Sequence, residues 1–398
     1  MSFVRRTLKN GMRVIVEKRD LPVVAFSISN RFGAGLEDSK IKGIAHVIEH
    51  MVFTGTKTRT HEDISREIEK KGGVVNAFTT NEITSFWFKL PSRHLFAGLE
   101  ILGDILLNPI FEEKKFEKEK RVILEEIKMY HDDPSRAVHD MIVKNLYEKP
   151  FGEGIIGSAK TVSELNRDFV VDFYKKHYTP EKYIVTIVGD VDVDKVCAWL
   201  EKKFISGKRK EEKMTIKKKN AESVEEREGI DQAHLLIGMH APLMNEKKYS
   251  VLEVMDAYLA SGMSSQLFLK IREEKGLAYT IHSSVSTEKS YSYYTIYAGT
   301  TKKAVLEVKK MILQGFRDIE KMNEKDLVEA KERLVGLQEI SQEESTRVMQ
   351  ELLFYELAVK AEDYYTREKR IRAVSLAEVK KLSRELVKNY SSATIVPK

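Results

Sequence analysis

The chain has 398 residues, with 67 Lys and Arg against 61 Asp and Glu and a formal net charge of +6. At roughly 100–200 residues per domain, that length predicts two domains, each able to bury its own core. Hydrophobic residues at 42% and charged residues at 32% exclude a disordered or collagen-like chain, and the single Cys197 excludes a disulfide scaffold or a cysteine-built metal site. In chain order, the start Met1-Ser2-Phe3-Val4-Arg5-Arg6 leads into no apolar h-region, and no apolar run reaches bilayer-spanning length. A cytoplasmic protein with no membrane partner is therefore expected. Asn10-Gly11 marks a hairpin turn, and residues 12–16 alternate as a half-buried strand. Residues 23–30 give another strand, and residues 33–43 a loop rich in Gly and charge. A short apolar helix over 43–53 stops before Gly55. Helical periodicity returns at 62–71, 95–107 and 112–130, with two strands over 74–90 joined near Asn81-Glu82. Residues 183–190 form the strand that closes the first half.

Residues 206–229 are polar and charged with almost no apolar pattern, which places a linker there between domains at 1–205 and 230–398. Its basic runs, Lys208-Arg209-Lys210 and Lys217-Lys218-Lys219, come without stacking aromatics, so no nucleic-acid partner is expected. Beyond it the order begins again: a strand at 233–239, helices at 249–259 and 266–274, strands at 281–286 and 291–298, and helices at 302–319 and 324–342. Leu337-Gln338-Glu339-Ile340 echoes Leu124-Glu125-Glu126-Ile127. A diverged internal duplication follows from this order. The fold class is α+β: two homologous domains, each a mostly antiparallel sheet packed against helices.

The chemistry concentrates in His46-Val47-Ile48-Glu49-His50. On a helix, residues i, i+3 and i+4 share a face, so His46, Glu49 and His50 project together. Ile44, Ala45, Val47, Ile48, Met51, Val52 and Phe53 make the same helix apolar nearly all round, which predicts burial. Two imidazoles and a carboxylate need partners there, and a divalent metal provides them. The spacing H-x-x-E-H, with an open position for water, suits catalytic zinc. A third ligand is still needed. In residues 112–130 the apolar arc of Phe116, Ile123, Ile127 and Tyr130 is flanked by Glu119 and Glu126, while Glu125 points to solvent. Pattern alone leaves Glu126 divided between a ligand and an ordinary helix-edge residue.

The stretch from Gly43 to Thr56, with its H-x-x-E-H core, resembles the signature of the pitrilysin-like, or inverzincin, metallopeptidases. The resemblance implies one zinc ion per chain, with Glu126 as third ligand, Glu119 behind the ligands, and Glu49 as the general base of peptide hydrolysis. Gly72-Gly73-Val74-Val75-Asn76-Ala77 is similar to the edge strand that pairs with extended substrates, which assigns Asn76 and Ala77 to substrate binding. Leu267 to Tyr279 resembles the signature of the second domain, which carries a substrate-contacting role over to Arg272 and Tyr279. Both motifs on one chain imply a homodimer enclosing a chamber that takes a peptide substrate. The competing reading is a non-catalytic structural or partner subunit of a peptidase-like complex, and zinc content separates the two.

Overall fold

The structure, a computed structural model, describes residues 2–205, 212 and 214–398. The elements of the first half are β1 (Ser2–Thr7), β2 (Arg13–Lys18), β3 (Val23–Asn30), α1 (Ile44–Val52), α2 (His61–Glu69), β4 (Val74–Thr79), β5 (Thr84–Pro91), α3 (Leu95–Leu107), α4 (Glu113–Asp132), α5 (Pro134–Leu146), α6 (Ala159–Glu164), α7 (Arg167–His177), β6 (Tyr183–Gly189) and α8 (Val193–Lys203). The second half follows with β7 (Glu222–Arg227), β8 (Ala233–His240), α9 (Lys248–Leu259), a π-helical segment (Phe268–Glu274), β9 (Ala278–Thr287), β10 (Ser292–Thr300), α10 (Val305–Asp318), α11 (Glu324–Ser341), α12 (Ser345–Ala358), α13 (Arg367–Arg372), α14 (Leu376–Leu386) and β11 (Ser391–Pro397). Among the described residues, no helix is long and apolar enough to cross a membrane.

The chain forms two units, and neither is contiguous. Met1–Lys128, Glu153–Thr215 and Gln342–Glu356 make the first; Met129–Gly152, Ile216–Ser341 and Leu357–Lys398 make the second. A split at 1–205 and 230–398 therefore misplaces α5 and most of α12, because a helix's apolar stripe demands a partner without naming which sheet supplies it. Of the expected linker, residues 206–211 and 213 lie outside the described residues. Within the remainder, Glu222–Arg227 is a strand, β7, paired in parallel with β11. Exposed and half-buried positions alternate along it, and four of its six residues are charged, as an edge strand allows.

In the first unit the six strands run in the order β1-β2-β6-β3-β5-β4, antiparallel except between β2 and β6. Alternation assigns one face to the core: Val14, Val16, Phe26, Ile28, Phe86, Phe88, Val185 and Ile187 are buried together with α1 and α3. The Phe26 and Phe88 rings stack at 5.2 Å across paired strands. The opposite face carries small hydroxyls, with Ser29 bonded to Ser85 at 2.8 Å. The α12 segment of this unit meets residues of that second face: Phe354 lies on Phe78, and the buried Glu356 carboxylate accepts from Arg5 at 2.8 Å and Arg13 at 2.9 Å.

In the second unit the order is β7-β11-β8-β10-β9, again antiparallel apart from one pair. Leu235, Ile237, Met239, Tyr294, Ile296 and Ala298 face a core shared with α9 and α10. On the other side α5 packs so closely that a Cβ on Gly238 would sit 2.7 Å from the Ile142 side chain. The strand order β11-β8-β10-β9 repeats β6-β3-β5-β4 of the first unit, and α9 follows β8 as α1 follows β3. The duplicated order read in the sequence is thus present as duplicated topology.

Candidate metal centre

The helix α1 begins at Gly43, whose φ of 99° lies in the left-handed region, and it offers no side-chain cap of its own. Its first-turn amides are taken up from outside: the two oxygens of Glu37 accept from Gly43 N at 2.9 Å and Ala45 N at 2.7 Å. Glu37 is fully enclosed, and burial pushes its carboxyl up to about 7 against the pull of Lys42 and the two amides. Lys42 is enclosed with it, 4.0 Å away, and donates to Ala34 O at 2.6 Å. Ile44, Ala45, Val47, Ile48, Met51 and Val52 are buried, so the one polar stripe of the helix is His46, Glu49 and His50.

That stripe faces α4. Phe116 and Ile123 bury one side of α4, and this turns Glu119 and Glu126, two turns apart, toward α1. Glu126 Oε2 lies 3.7 Å from His46 Nε2 and 3.6 Å from His50 Nε2. One ligand atom from each of the three residues lies within 4.8 Å of the others, the single such group among the described residues. Glu119 Oε2 sits 3.2 Å from the other nitrogen of His50, Nδ1. Glu125 instead pairs with Lys128 in solvent.

The donor set fits a tetrahedral divalent cation. Bonds of about 2.0–2.2 Å put neighbouring ligand atoms roughly 3.3–3.5 Å apart, close to the separations between Glu126 and the imidazoles. The charges agree. Burial, then the neighbouring His50, pushes His46 down to about 4, so it is neutral, as a ligand must be. Burial also opposes charge on His50, but Glu119 and Glu126 outweigh it and raise the imidazole to about 9. The cluster attracts positive charge at the point where the three donors converge. The Nδ1 atom of His46 is buried and has no hydrogen-bond partner among the described residues.

Glu49 stands outside the three-donor group. Its carboxylate accepts a hydrogen bond from the Thr79 hydroxyl at the end of β4. Burial raises its pKa, with the Thr79 bond working the other way. Asn76 and Ala77 lie on the same strand, at the outer edge of the sheet, with Asn76 exposed. Arg272 and Tyr279 belong to the second unit. The guanidinium lies over Phe268 at 4.7 Å and over Tyr279 at 5.9 Å, and Tyr279 is 75% exposed. Sequence reasoning missed Thr79, Glu37 and Lys42. For Thr79 a signal existed, since strand alternation puts it on the same face as Ala77.

Comparison with known proteins gives a consistent result. Residues 13–159 match the family described as Insulinase (Peptidase family M16), and residues 164–334 match the Peptidase M16 inactive domain. A Bacillus subtilis protein described as an uncharacterized zinc protease is 31% identical, over 99% of this chain and 98% of its own. A similarly described Rickettsia felis protein is 33% identical, over 82% and 81%. Among solved structures, a protease from Helicobacter pylori shares the fold with a TM-score of 0.93 at 21% identity, covering 100% of this chain and 99% of that one. A chain of complex III2 from Candida albicans superposes with a TM-score of 0.85 at 15% identity, covering 99% and 95%.

Proposed function

The chain belongs to peptidase family M16, the insulinase family, and from that premise we propose that it is a zinc-dependent endopeptidase acting on short or unfolded polypeptides. The observation that carries this reading is the convergence of His46, His50 and Glu126 within 4.8 Å, with Glu49 beside them and not among them. In the proposal these three residues hold one zinc ion per chain. What the metal supplies when bound is Lewis acidity toward a carbonyl and toward water. Glu49 accepts a proton from the attacking water and passes it to the departing amine, while Thr79 fixes the orientation of its carboxylate. Glu119 orients His50 through Nδ1. The open edge of β4 at Asn76 and Ala77 takes an extended peptide as an added strand, with backbone hydrogen bonds that make little demand on sequence. Arg272 and Tyr279 donate to carbonyl oxygens of the substrate or to the developing oxyanion. The active form is a homodimer enclosing a chamber, in the cytoplasm.

A second reading is favoured by one observation, the fold shared with a chain of the Candida albicans complex. It is a non-catalytic structural or partner subunit.

The test is cleavage of an unstructured peptide of about twenty residues, a length that suits β-addition. Wild type and Glu49→Gln, both zinc-loaded, are compared, and products are identified by mass spectrometry. Cleavage by wild type alone is the expected result. Stoichiometric zinc with no cleavage by either protein favours the subunit reading, and equal cleavage by both removes Glu49 from the mechanism.

A further inference from the structure

We propose that Glu37 is a positioning residue for the metal ligands, holding the first turn of α1, and His46 with it, in place before any metal arrives. This inference rests on reading His46, His50 and Glu126 as a zinc site. Ordinary helices are capped by a Ser, Thr, Asp or Asn side chain at the residue before the first turn. At α1 that position is closed to such a side chain. Gly43 has φ 99°, and a Cβ there would lie 2.7 Å from Ile156 O. Glu37 therefore caps the helix from six residues upstream, with one oxygen on Gly43 N and the other on Ala45 N.

Helix stability alone does not account for this arrangement. Enclosing a carboxylate and an ammonium group costs free energy that their mutual attraction often only offsets. In the same unit α2 shows the simpler solution, an exposed Thr60 that caps through Asp63 N at 3.1 Å with the Asp63 side chain returning the bond. What the buried pair adds at α1 is fixed geometry. His46 is the residue after Ala45, so its backbone is one peptide away from an amide held at 2.7 Å. Behind it, Lys42 is tied through its side chain to Ala34 O and through its own carbonyl to the Thr161 hydroxyl at 2.8 Å. A ligand set tolerates only about half an ångström of misplacement, which gives an anchor one residue from His46 its value.

The experiment measures zinc affinity by chelator competition, and the visible absorption of the cobalt(II)-loaded protein, for wild type, Glu37→Gln and Thr60→Ala. All are measured at a temperature where each is folded. A glutamine leaves one acceptor oxygen where the carboxylate had two. Glu37→Gln is expected to bind zinc about tenfold or more weakly and to change the cobalt spectrum, the size of effect that groups supporting a ligand shell produce. Thr60→Ala is expected to lower thermal stability with affinity and spectrum unchanged. If Glu37→Gln behaves as Thr60→Ala does, Glu37 merely stabilises a helix and the proposal is overturned. Wild type that binds neither zinc nor cobalt would sink the metal reading itself, a different failure. Should Glu37→Gln not fold, hydrogen exchange on wild type decides. Protection of the 43–46 amides without metal supports the proposal, and protection only after zinc is added refutes it.

Discussion

His50 meets a carboxylate at each ring nitrogen: Glu119 at 3.2 Å from Nδ1, and Glu126 at 3.6 Å from Nε2. The two acids are seven residues apart on α4, so they share a helical face, and periodicity alone could not tell them apart. The side-chain geometry does, by placing one on each nitrogen. His46, Glu49 and His50 were legible because i, i+3, i+4 is a purely local relation. Glu37 was not, because a loop reaches α1 only through the tertiary fold, and for Thr79 strand alternation gave the face it shares with Ala77 but not its contact with Glu49. If Glu119 fixes the ring and tautomer of His50, Glu119→Ala should weaken zinc binding by about 10–100-fold, with the metal still bound stoichiometrically at high concentration. Chelator competition measures this, and unchanged affinity would make Glu119 a bystander.

Among the elements, the helices α3 and α4 and the strands β3 to β5 follow the sequence pattern closely, since each carries a full period of apolar positions. The helix read over 266–274 is present and is π-helical at Phe268–Glu274, a detail of hydrogen-bond register that hydrophobic spacing does not encode. This segment, which carries Arg272, is tied to α10 by Lys270, whose ammonium lies 3.0 Å from Asp318. Lys321 at 2.9 Å and Gln314 at 3.2 Å complete the shell around that carboxylate. Burial alone would raise the Asp318 pKa, but these three partners outweigh it and hold it at about 2. The folded value lies below the unfolded one of about 4, so the stabilisation is complete above pH 4 and disappears as pH falls toward 2. Asp318→Asn should therefore lower stability by about 1 kcal/mol at pH 7, since solvent screens its exposed lysine partners, with the gap to wild type narrowing between pH 4 and 2. Urea unfolding at pH 7, 4 and 3 checks the sign. A gap that stays constant would detach Asp318 from this linkage.

For the whole molecule, the duplication was readable because element order survives divergence, while the exchange of α5 and the α12 segment between units was not, because nothing local names a helix's partner sheet. The duplication also divides the proposed machinery. The first unit carries His46, Glu49, His50 and Glu126, and the second carries Arg272 and Tyr279. If the proposed homodimer pairs the metal centre of one copy with the arginine of the other, two inactive variants can repair each other. In a hybrid of Glu49→Gln with Arg272→Ala, the intact Glu49 of one chain is served by the intact Arg272 of its partner, which leaves one good site of two. Random exchange makes half of all dimers hybrids, so an equimolar mixture should recover about a quarter of wild-type cleavage. Native mass spectrometry verifies that hybrids have formed. With hybrids present, activity no higher than the two variants alone would place both motifs in action on their own chain.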